Sequence, residues 1–552
     1  MSRAGFGPAR LLTPLFIEGP MQPYPLTVDK FLDHAAKWFP DVEVVEASAG
    51  KVAGRATYAD LRERANRLSG ALLSLGLEPG ERVGTLAWNT LQHFELYYAA
   101  MGVGLVCHTL NPRLTPEHLA QMIGEARDRV VAVSEDLLPL LEKVIALSPV
   151  IEHVVVLEAG GSYGTSVGRA RLWSVEQLLS EHGRATAWGD FDENAPAGLC
   201  YTSGTTGRPK GVLYSHRSNY LHTLRALQAD AMAITADDAV LVAVPMFHAN
   251  GWGLPFAGPA VGAKLVLPGR VTDGASLAKL MRDEKVTIAI GVQTVWLGVV
   301  DHLIATGEQA PADLKRIIIG GSSCPDNLIR RMEDGLGAYV QTSWGMTELS
   351  PLGTIASPTP SGNAGSGRPL MGLDLKLTDA SGTALAEQRG QVGHLWVKGA
   401  SVLDRYFEAD ADSLDADGYF NTGDLAEIDQ AGNLSIRGRS KDLIKSGGEW
   451  INPAEIEEII GRDTAVSQVA VISTPHDKWG ERPLLIVQPR PGAEVEGRDL
   501  VETLRGKVAD WWIPERIAQV DAMPLSGSGK IDKNQLREDV EAGRIVGEPV
   551  GA

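Results

Sequence analysis

Short β-branched runs alternate with longer amphipathic stretches through roughly the first 430 residues of the chain. Five apolar runs are typical of fully buried strands: 153–157, 240–244, 264–267, 287–291 and 316–319. The stretches 58–75 and 116–125 carry apolar residues at helical spacing. This alternation predicts an α/β plan with a large N-terminal domain of layered sheets and helices.

The pattern changes near Gly438, where residues 438–450 are charged and rich in glycine. Asn452 then offers an N-cap, Pro453 suits a first helical turn, and Glu455 has the spacing of a capping box. Beyond it the pattern predicts two strands and one helix, at 468–472, 484–488 and 499–511. We therefore predict a small α+β domain at 443–552, a linker at 439–442 and a large domain over 1–438.

Composition narrows the classes of partner. The 552 residues carry 51 basic and 69 acidic side chains, a net charge of −18 that argues against nucleic acid or an anionic membrane as partner. The three cysteines are far apart and form no CxxC pair, so neither a disulfide framework nor a zinc site is expected. No signal peptide and no integral membrane segment are expected, and we predict a cytoplasmic protein.

Residues 201–212, YTSGTTGRPKGV, form the most informative stretch of the chain. Glycines allow successive backbone N–H groups to converge on one anion, and hydroxyl groups add further donors. Lys210 adds a full positive charge, so a polyphosphate is the expected ligand. The stretch is not a Walker P-loop, because Pro209 and Gly211 flank the lysine.

Further motifs follow in a fixed order. They are VPMFHANGW (244–252), GGSS (320–323), TSWGMTE (342–348), YFNTGD (419–424), SGGEW (446–450) and PLSGSGKIDK (524–533). Together with the 201–212 loop they resemble the adenylate-forming superfamily of acyl-CoA synthetases, luciferases and peptide-synthetase adenylation domains. The resemblance covers about residues 27–540. It implies a mobile C-terminal domain.

The resemblance implies a site for ATP and Mg²⁺. The residues expected to bind ATP are Thr202, Ser203, Gly204, Thr205, Thr206, Gly207, Lys210, Gly321, Ser322, Thr342, Ser343, Trp344, Gly345, Met346, Thr347, Asp424, Ile436, Arg439, Lys441, Lys445 and Lys530. Glu348 and Thr202 are the expected metal residues, since Mg²⁺ prefers oxygen ligands. The expected catalytic residues are Lys530, Glu348, Thr347 and Lys210.

The resemblance also implies an acyl pocket and a path for coenzyme A. The expected pocket residues are His248, Ala249, Trp252, Gly320 and Gly345. The expected coenzyme A residues are Ser446, Gly447, Gly448 and Trp450. Lys441 occupies the hinge position, and Asp424 and Arg439 are expected at the ribose.

The implied activity is that of an AMP-forming acyl-CoA synthetase for a small-molecule carboxylic acid. The motifs look most like those of medium- and long-chain fatty acyl-CoA ligases and of ligases for methylthiopropionate, and a homodimer is possible by the same resemblance. Gln293 stands where relatives often have proline, which leaves the acid open. Two alternatives stay open: an adenylating enzyme that loads a carrier protein or acts as a luciferase-like oxygenase, and a catalytically inactive nucleotide sensor.

Overall fold

The computed structural model describes residues 21–159, 164–202, 209–321, 324–360, 365–447, 449–526 and 530–550. Its α-helices are α1 (Asp29–Trp38), α2 (Tyr58–Ser74), α3 (Leu91–Met101), α4 (Pro116–Ala126), α5 (Leu138–Leu147), α6 (Val175–His182), α7 (His216–Ala226), α8 (Leu254–Val261), α9 (Gly274–Asp283), α10 (Gln293–Thr306), α11 (Asp326–Leu336), α12 (Pro453–Ile460), α13 (Gly497–Glu502) and α14 (Lys533–Glu541). None of them is long and apolar enough to cross a membrane.

The strands before residue 300 are β1 (Glu43–Ser48), β2 (Lys51–Thr57), β3 (Arg82–Leu86), β4 (Val106–Thr109), β5 (Val130–Ser134), β6 (His153–Leu157), β7 (Ser166–Val167), β8 (Ala170–Ser174), β9 (Pro196–Thr202), β10 (Lys210–Ser215), β11 (Ala239–Val242), β12 (Lys264–Leu267) and β13 (Ile288–Gly291). Those that follow are β14 (Arg316–Ile319), β15 (Tyr339–Gly345), β16 (Leu352–Ile355), β17 (Arg368–Pro369), β18 (Leu373–Thr378), β19 (Val392–Gly399), β20 (Phe420–Ile428), β21 (Leu434–Arg439), β22 (Ile444–Ser446), β23 (Glu449–Ile451), β24 (Val466–His476), β25 (Gly480–Pro489), β26 (Arg516–Gln519) and β27 (Glu548–Pro549).

Two large sheets build the first part of the chain. One has the strand order β17-β16-β15-β14-β13-β11-β12-β1-β2, and the other has the order β10-β9-β4-β3-β5-β6-β8-β7. Their central strands run parallel and are buried on both faces, which explains the continuous apolar runs in the sequence. The two faces of these sheets contribute to separate apolar clusters: Ile290 and Ile318 belong to one cluster and Ala289 and Ile317 to another.

Two smaller sheets follow. Strands β18 to β21 form an antiparallel sheet, and the last segment forms a sheet of β22 to β27 packed with α12 and α14. The predicted α/β architecture, with a large N-terminal part and a small α+β C-terminal part, is confirmed.

The predicted strands at 153–157, 264–267 and 316–319 are confirmed to the residue. The predicted helix at 499–511 is wrong, because α13 spans only Gly497–Glu502 and turns follow it. Gly506 has a φ of +71°, a conformation that ends a right-handed helix.

The cap predicted at Asn452 is present, with its Oδ1 accepting from the backbone N of Ala454 at 3.2 Å. The predicted capping box is wrong in one detail. Glu455 accepts from the side-chain amide of Asn452, at 3.1 Å, instead of from its backbone N–H. That amide also donates to the carbonyl of Arg437 at 2.6 Å, which ties the small domain to β21.

Strands β11, β13, β14 and β15 are parallel neighbours, so their carboxyl ends meet at one edge of the sheet. Segments leaving that edge carry most of the predicted acyl-pocket residues. Ligands gather at such edges of open α/β sheets, and this edge is where the candidate site lies.

Candidate functional site

Two glycines form the floor of a cleft at this edge. A Cβ atom on Gly320 would lie 2.6 Å from Ser343 Oγ and 3.2 Å from Trp252 Cη2, so no side chain fits there. Gly321 has a φ of +89°, and a Cβ on it would lie 3.7 Å from Lys530 Cε. The missing side chains let a planar ligand lie directly on the backbone.

The wall beside this floor is a left-handed turn. Ala249, Asn250, Gly251, Trp252 and Gly253 all have positive φ angles, from +44° to +78°. Such angles cost an L-residue about 1–2 kcal/mol each. The turn directs the Trp252 ring against the Gly320 and Gly321 backbone, and Ala249 N donates to Cys200 Sγ at 3.4 Å.

His248 immediately precedes the turn, and its backbone N donates to the carbonyl of Pro245 at 3.0 Å. Burial lowers the pKa of its imidazole to about 4, and the positive charges of Lys530 and Arg113 act in the same direction. The ring is therefore neutral at physiological pH, so it can face a carboxylate as a hydrogen-bonding group without adding charge.

The end of β15 supplies the next side of the cleft. Ser343 Oγ donates to the carbonyl of Ile319 at 2.8 Å, and Thr342 Oγ1 donates to that of Gly365 at 2.7 Å. A Cβ on Gly345 would lie 2.3 Å from the carbonyl oxygen of Pro351, which explains the glycine. Met346 N donates to that same carbonyl at 3.0 Å.

A buried network joins this strand end to β20 and β21. Asp424 is 2 % exposed, and its two oxygens accept from Trp344 Nε1 at 2.9 Å and from Arg439 Nε at 2.7 Å. Burial raises the pKa of Asp424, and the Arg439 charge opposes that rise. Arg439 lies opposite Asp424 in the β20–β21 register, and half-buried Ile436 pairs with Ala426 in the same ladder.

Glu348 lies at the cleft on a short 3-10 turn, Thr347–Leu349. Its carboxylate is buried and accepts a hydrogen bond from Tyr406 Oη at 2.8 Å. Burial raises the pKa of Glu348, and the bond from Tyr406 opposes the rise. Thr347 is fixed by Tyr214, whose Oη donates to the Thr347 carbonyl at 2.9 Å.

Strands β9 and β10, on either side of the predicted phosphate loop, pair antiparallel. Lys210 pairs with Thr202 in the β9–β10 register, so both ends of the predicted phosphate loop are adjacent. Several predicted site residues lie outside the described ranges: Ser203, Gly204, Thr205, Thr206, Gly207, Ser322 and Gly448.

Lys530 reaches the cleft from the small domain. Its hairpin is closed by hydrogen bonds from Ser526 N to the Lys530 carbonyl, at 2.7 Å, and from Asp532 N to the Pro524 carbonyl, at 2.8 Å. The side chain is exposed at the open mouth of the cleft. The surrounding walls and the Arg439 charge nevertheless lower its pKa, against the opposite effects of Asp424 and Glu348. The structure thus brings Lys530 together with residues more than 90 positions earlier in the chain.

The predicted hinge and coenzyme A residues lie elsewhere. Lys441 is exposed on the 3-10 turn Ser440–Asp442. Lys445 stands over the Trp450 ring, 5.5 Å from its centroid, and Gly447 N donates to the Trp479 carbonyl at 2.8 Å. Within the described ranges, the contacts recorded for 445–447 and 449–450 are to residues of the small domain and none is to the cleft.

The oxygen ligands at the cleft can hold a hard cation such as Mg²⁺ only if a substrate supplies further ligands. Among the described residues no three His, Cys, Asp or Glu side chains are grouped so as to hold a metal by themselves. A single carboxylate, Glu348, and the hydroxyl of Thr202 match the way Mg²⁺ binds together with phosphate oxygens.

Sequence reasoning missed Tyr406, which no motif contains. It also gave no sign of the left-handed turn, although Asn250 and Gly251 tolerate such angles. Both features depend on tertiary neighbours: Tyr406 meets Glu348 across 58 positions of the sequence.

Comparison with known proteins agrees with this geometry. The chain is 41% identical over 531 residues, covering 94% of this chain and 97% of the relative, to a medium-chain-fatty-acid–CoA ligase of Ectopseudomonas oleovorans. It is 39% identical over 532 residues, covering 94% and 98%, to a 3-methylmercaptopropionyl-CoA ligase of Ruegeria lacuscaerulensis. Among solved structures, ATP-bound MatB from Rhodopseudomonas palustris superposes with a TM-score of 0.80 at 26% identity, over 93% of this chain and 99% of that one.

Family profiles match both parts of the chain. The AMP-binding enzyme profile matches residues 32–407, and the profile of the AMP-binding enzyme C-terminal domain matches residues 455–530. The first match alone spans more than half of the chain, and it contains the cleft from the phosphate loop to Tyr406. The chain therefore belongs to the AMP-binding enzyme family.

Proposed function

We propose that the protein is an AMP-forming acid–thiol ligase that joins a carboxylic acid to AMP and then transfers the acyl group to coenzyme A. One observation carries the proposal: Lys530, on the small domain, stands in the cleft near Asp424 and Glu348 of the large domain and Arg439 at the start of the linker. A nucleotide sensor needs no such lysine from a second domain.

In the first half-reaction an oxygen of the carboxylate attacks the α-phosphorus of ATP. The bond from that phosphorus to the bridging oxygen breaks, and pyrophosphate leaves with the electron pair. Negative charge gathers on the phosphoryl oxygens, and we assign its stabilisation to Lys530, Lys210 and the Thr347 hydroxyl. Glu348 and Thr202 would hold Mg²⁺ together with the phosphates, and the ion would supply further charge neutralisation when bound.

The nucleotide is oriented by residues already fixed in the fold. We assign the ribose hydroxyls to Asp424 and Arg439, since the carboxylate oxygens have lone pairs beyond those used by Trp344 and Arg439. The adenine is assigned to the backbone at Gly321. His248 and Trp252 then face the acid across the floor of the cleft.

In the second half-reaction the thiol sulfur of coenzyme A attacks the carbonyl carbon of the acyl-adenylate. The bond to the AMP oxygen breaks, AMP leaves, and the thiol loses its proton. Lys530 occupies the cleft in this structure, so we propose that 443–552 rotates about 439–442, at Lys441, as a hinge motion. The rotation would bring Ser446, Gly447, Gly448 and Trp450 to the pantetheine chain, with Lys445 toward the nucleotide.

We propose a medium- or long-chain fatty acid, or a methylthio-substituted acid, as the substrate. Two relatives at about 40% identity support this class, because their names give such acids. The apolar Trp252 ring at the floor of the cleft fits an alkyl or thioether chain. We further propose a cytoplasmic location and a homodimer.

The test is carboxylate-dependent AMP release with ATP, Mg²⁺ and coenzyme A. The panel runs from acetate to palmitate and includes methylthiopropionate, benzoate and cinnamate. A peak at one aliphatic chain length, dependent on coenzyme A, is expected. If AMP release requires a carrier protein and does not occur with coenzyme A, the acyl acceptor is the carrier protein. Oxygen consumption would indicate a luciferase-like reaction. ATP binding without pyrophosphate exchange would support a nucleotide sensor.

A further inference from the structure

Tyr406, a tyrosine outside every sequence motif, contacts two charged residues of the cleft, Glu348 and Lys210. Tyr406 Oη donates to Glu348 Oε1 at 2.8 Å. On the other side, Lys210 Nζ stands 4.9 Å from the centroid of the Tyr406 ring, within the range of a cation–π contact. One side chain thus contacts both the proposed metal carboxylate and the lysine of the phosphate loop.

The segment that carries Tyr406 is fixed at both ends. Leu403 N donates to the carbonyl of Glu348 itself at 2.8 Å, and Phe407 N donates to the carbonyl of Gly211 at 2.8 Å. The ring of Tyr406 is half-buried, with its centroid 6.3 Å from that of Phe420. These anchors hold the phenol against Glu348 and leave it little freedom to turn away.

We propose that Tyr406 is a positioning residue that fixes the orientation of the Glu348 carboxylate for metal binding and links it to Lys210. The inference rests on the proposed function, which assigns Glu348 to Mg²⁺. A donor on Oε1 favours one rotamer of the Glu348 carboxylate, and so orders the oxygens that would hold the metal. Partners of this kind raise metal affinity because they order the ligand before the metal arrives.

The experiment measures Mn²⁺ binding by electron paramagnetic resonance in the presence of an α,β-methylene analogue of ATP, which cannot be cleaved at the reacting bond. Tyr406→Phe keeps the ring and removes only the hydroxyl donor. We expect Mn²⁺ affinity to fall about tenfold, and the Mg²⁺ concentration for half-maximal AMP release to rise by a similar factor. Binding of AMP without metal should stay unchanged.

Two further variants separate the possible outcomes. Tyr339→Phe deletes the same atom where Oη donates to the Ser357 carbonyl at 3.1 Å, and it should leave Mn²⁺ affinity as in the wild type. If Glu348→Gln weakens Mn²⁺ binding while Tyr406→Phe does not, the role of Tyr406 is overturned and the proposed function stands. If Glu348→Gln has no effect either, the metal assignment itself fails. A similar loss in Tyr406→Phe and Tyr339→Phe would reduce Tyr406 to a structural residue.

Discussion

The two sides of the cleft are built in opposite ways. The floor at Gly320 directly follows the buried strand β14, and the wall at Ala249–Gly253 lies in the segment between β11 and α8. Close contacts fix the backbone of the floor, and positive φ angles define that of the wall. The hairpin around Lys530 lies between β26 and α14, and its described residues are joined by two backbone hydrogen bonds and by one bridge, between Leu525 and Ile531. The wall is part of the large domain's core, whereas the hairpin belongs to the small domain.

The difference matches the work proposed for each side. A surface that must receive the acid in both half-reactions gains from a backbone that cannot relax, even at a cost in strain. The charge of Lys530 is needed only in the first half-reaction, so the enzyme benefits if the small domain can withdraw it afterwards. The predictions below therefore ask whether the wall behaves as a fixed surface and the hairpin as a removable one.

The largest effect is expected for Lys530→Ala. Loss of one charge-stabilising donor should slow acyl-adenylate formation about 100- to 1,000-fold, while thioester formation from supplied acyl-adenylate stays near the wild-type rate. Single-turnover rates of the two half-reactions measure this. The exposed Lys507→Ala serves as the control and should change neither. An equal loss of rate in both half-reactions would show that Lys530 is not withdrawn between them, which contradicts the proposed difference between the fixed wall and the removable hairpin.

A pH measurement tests whether the hairpin lies beside the wall. The folded pKa of His248, about 4, is lower than its unfolded value near 6.5, so its neutral form stabilises the fold above pH 6.5 and this contribution is lost as pH falls toward 4. Relative to His248→Gln, the free energy of unfolding of the wild type should fall by about 2 kcal/mol between pH 7 and pH 5.

Urea unfolding at both pH values gives this difference. Repeating the pair in a Lys530→Ala background should shrink it, because the lysine charge contributes to the low pKa of His248. An unchanged difference would mean that Lys530 does not rest near the wall in solution.

A smaller effect is expected at the contact between the domains. Asn327 Nδ2, on α11, donates to the carbonyl of Gly461 at 3.2 Å. Asn327→Ala removes about 1 kcal/mol of this contact, so the adenylating orientation should lose up to about fivefold in population. Pyrophosphate exchange should slow accordingly, while the thioester half-reaction does not. Asn194→Ala is the control, since the side-chain amide of Asn194 donates to Asp192 at the surface of the large domain.

The smallest effect is expected from relaxing the wall. Ala249→Gly relieves about 1–2 kcal/mol of left-handed strain but frees the unfolded chain by about 0.4–1 kcal/mol, so stability should rise by about 0.8 kcal/mol and by at most about 1.6 kcal/mol. Ala233, also at positive φ, gives a matched variant in Ala233→Gly. Only Ala249→Gly should raise the KM for the acid, by loosening Trp252. Lower stability of Ala249→Gly would show that the turn is not strained.

The sequence allowed the strands and motif residues to be predicted because each has a local signature: apolar runs for buried strands, and glycines where the backbone approaches a ligand. Gly320 and Asp424 were predicted as site residues only through motifs that resemble those of the adenylate-forming superfamily. Tyr406 could not be predicted, since nothing near it in sequence indicates that Glu348 lies beside it. The helix predicted at 499–511 failed because Gly506, with a φ of +71°, interrupts the right-handed helix, although Val508 and Trp512 beyond it still pack against the same apolar cluster.

One ion pair near the proposed hinge at 439–442 joins two distant positions of the chain. Arg537 on α14 donates to Asp442 at 2.9 Å, and α14 begins directly after the Lys530 hairpin. On the other flank of the same turn, Ser440 Oγ lies 2.9 Å from His394 Nδ1 on the large domain. The turn at 440–442 and the Lys530 hairpin are thus both attached to α14. Under the proposed rotation Lys530 therefore leaves the cleft as that turn changes conformation. A single enzyme molecule would then run its two half-reactions strictly in alternation.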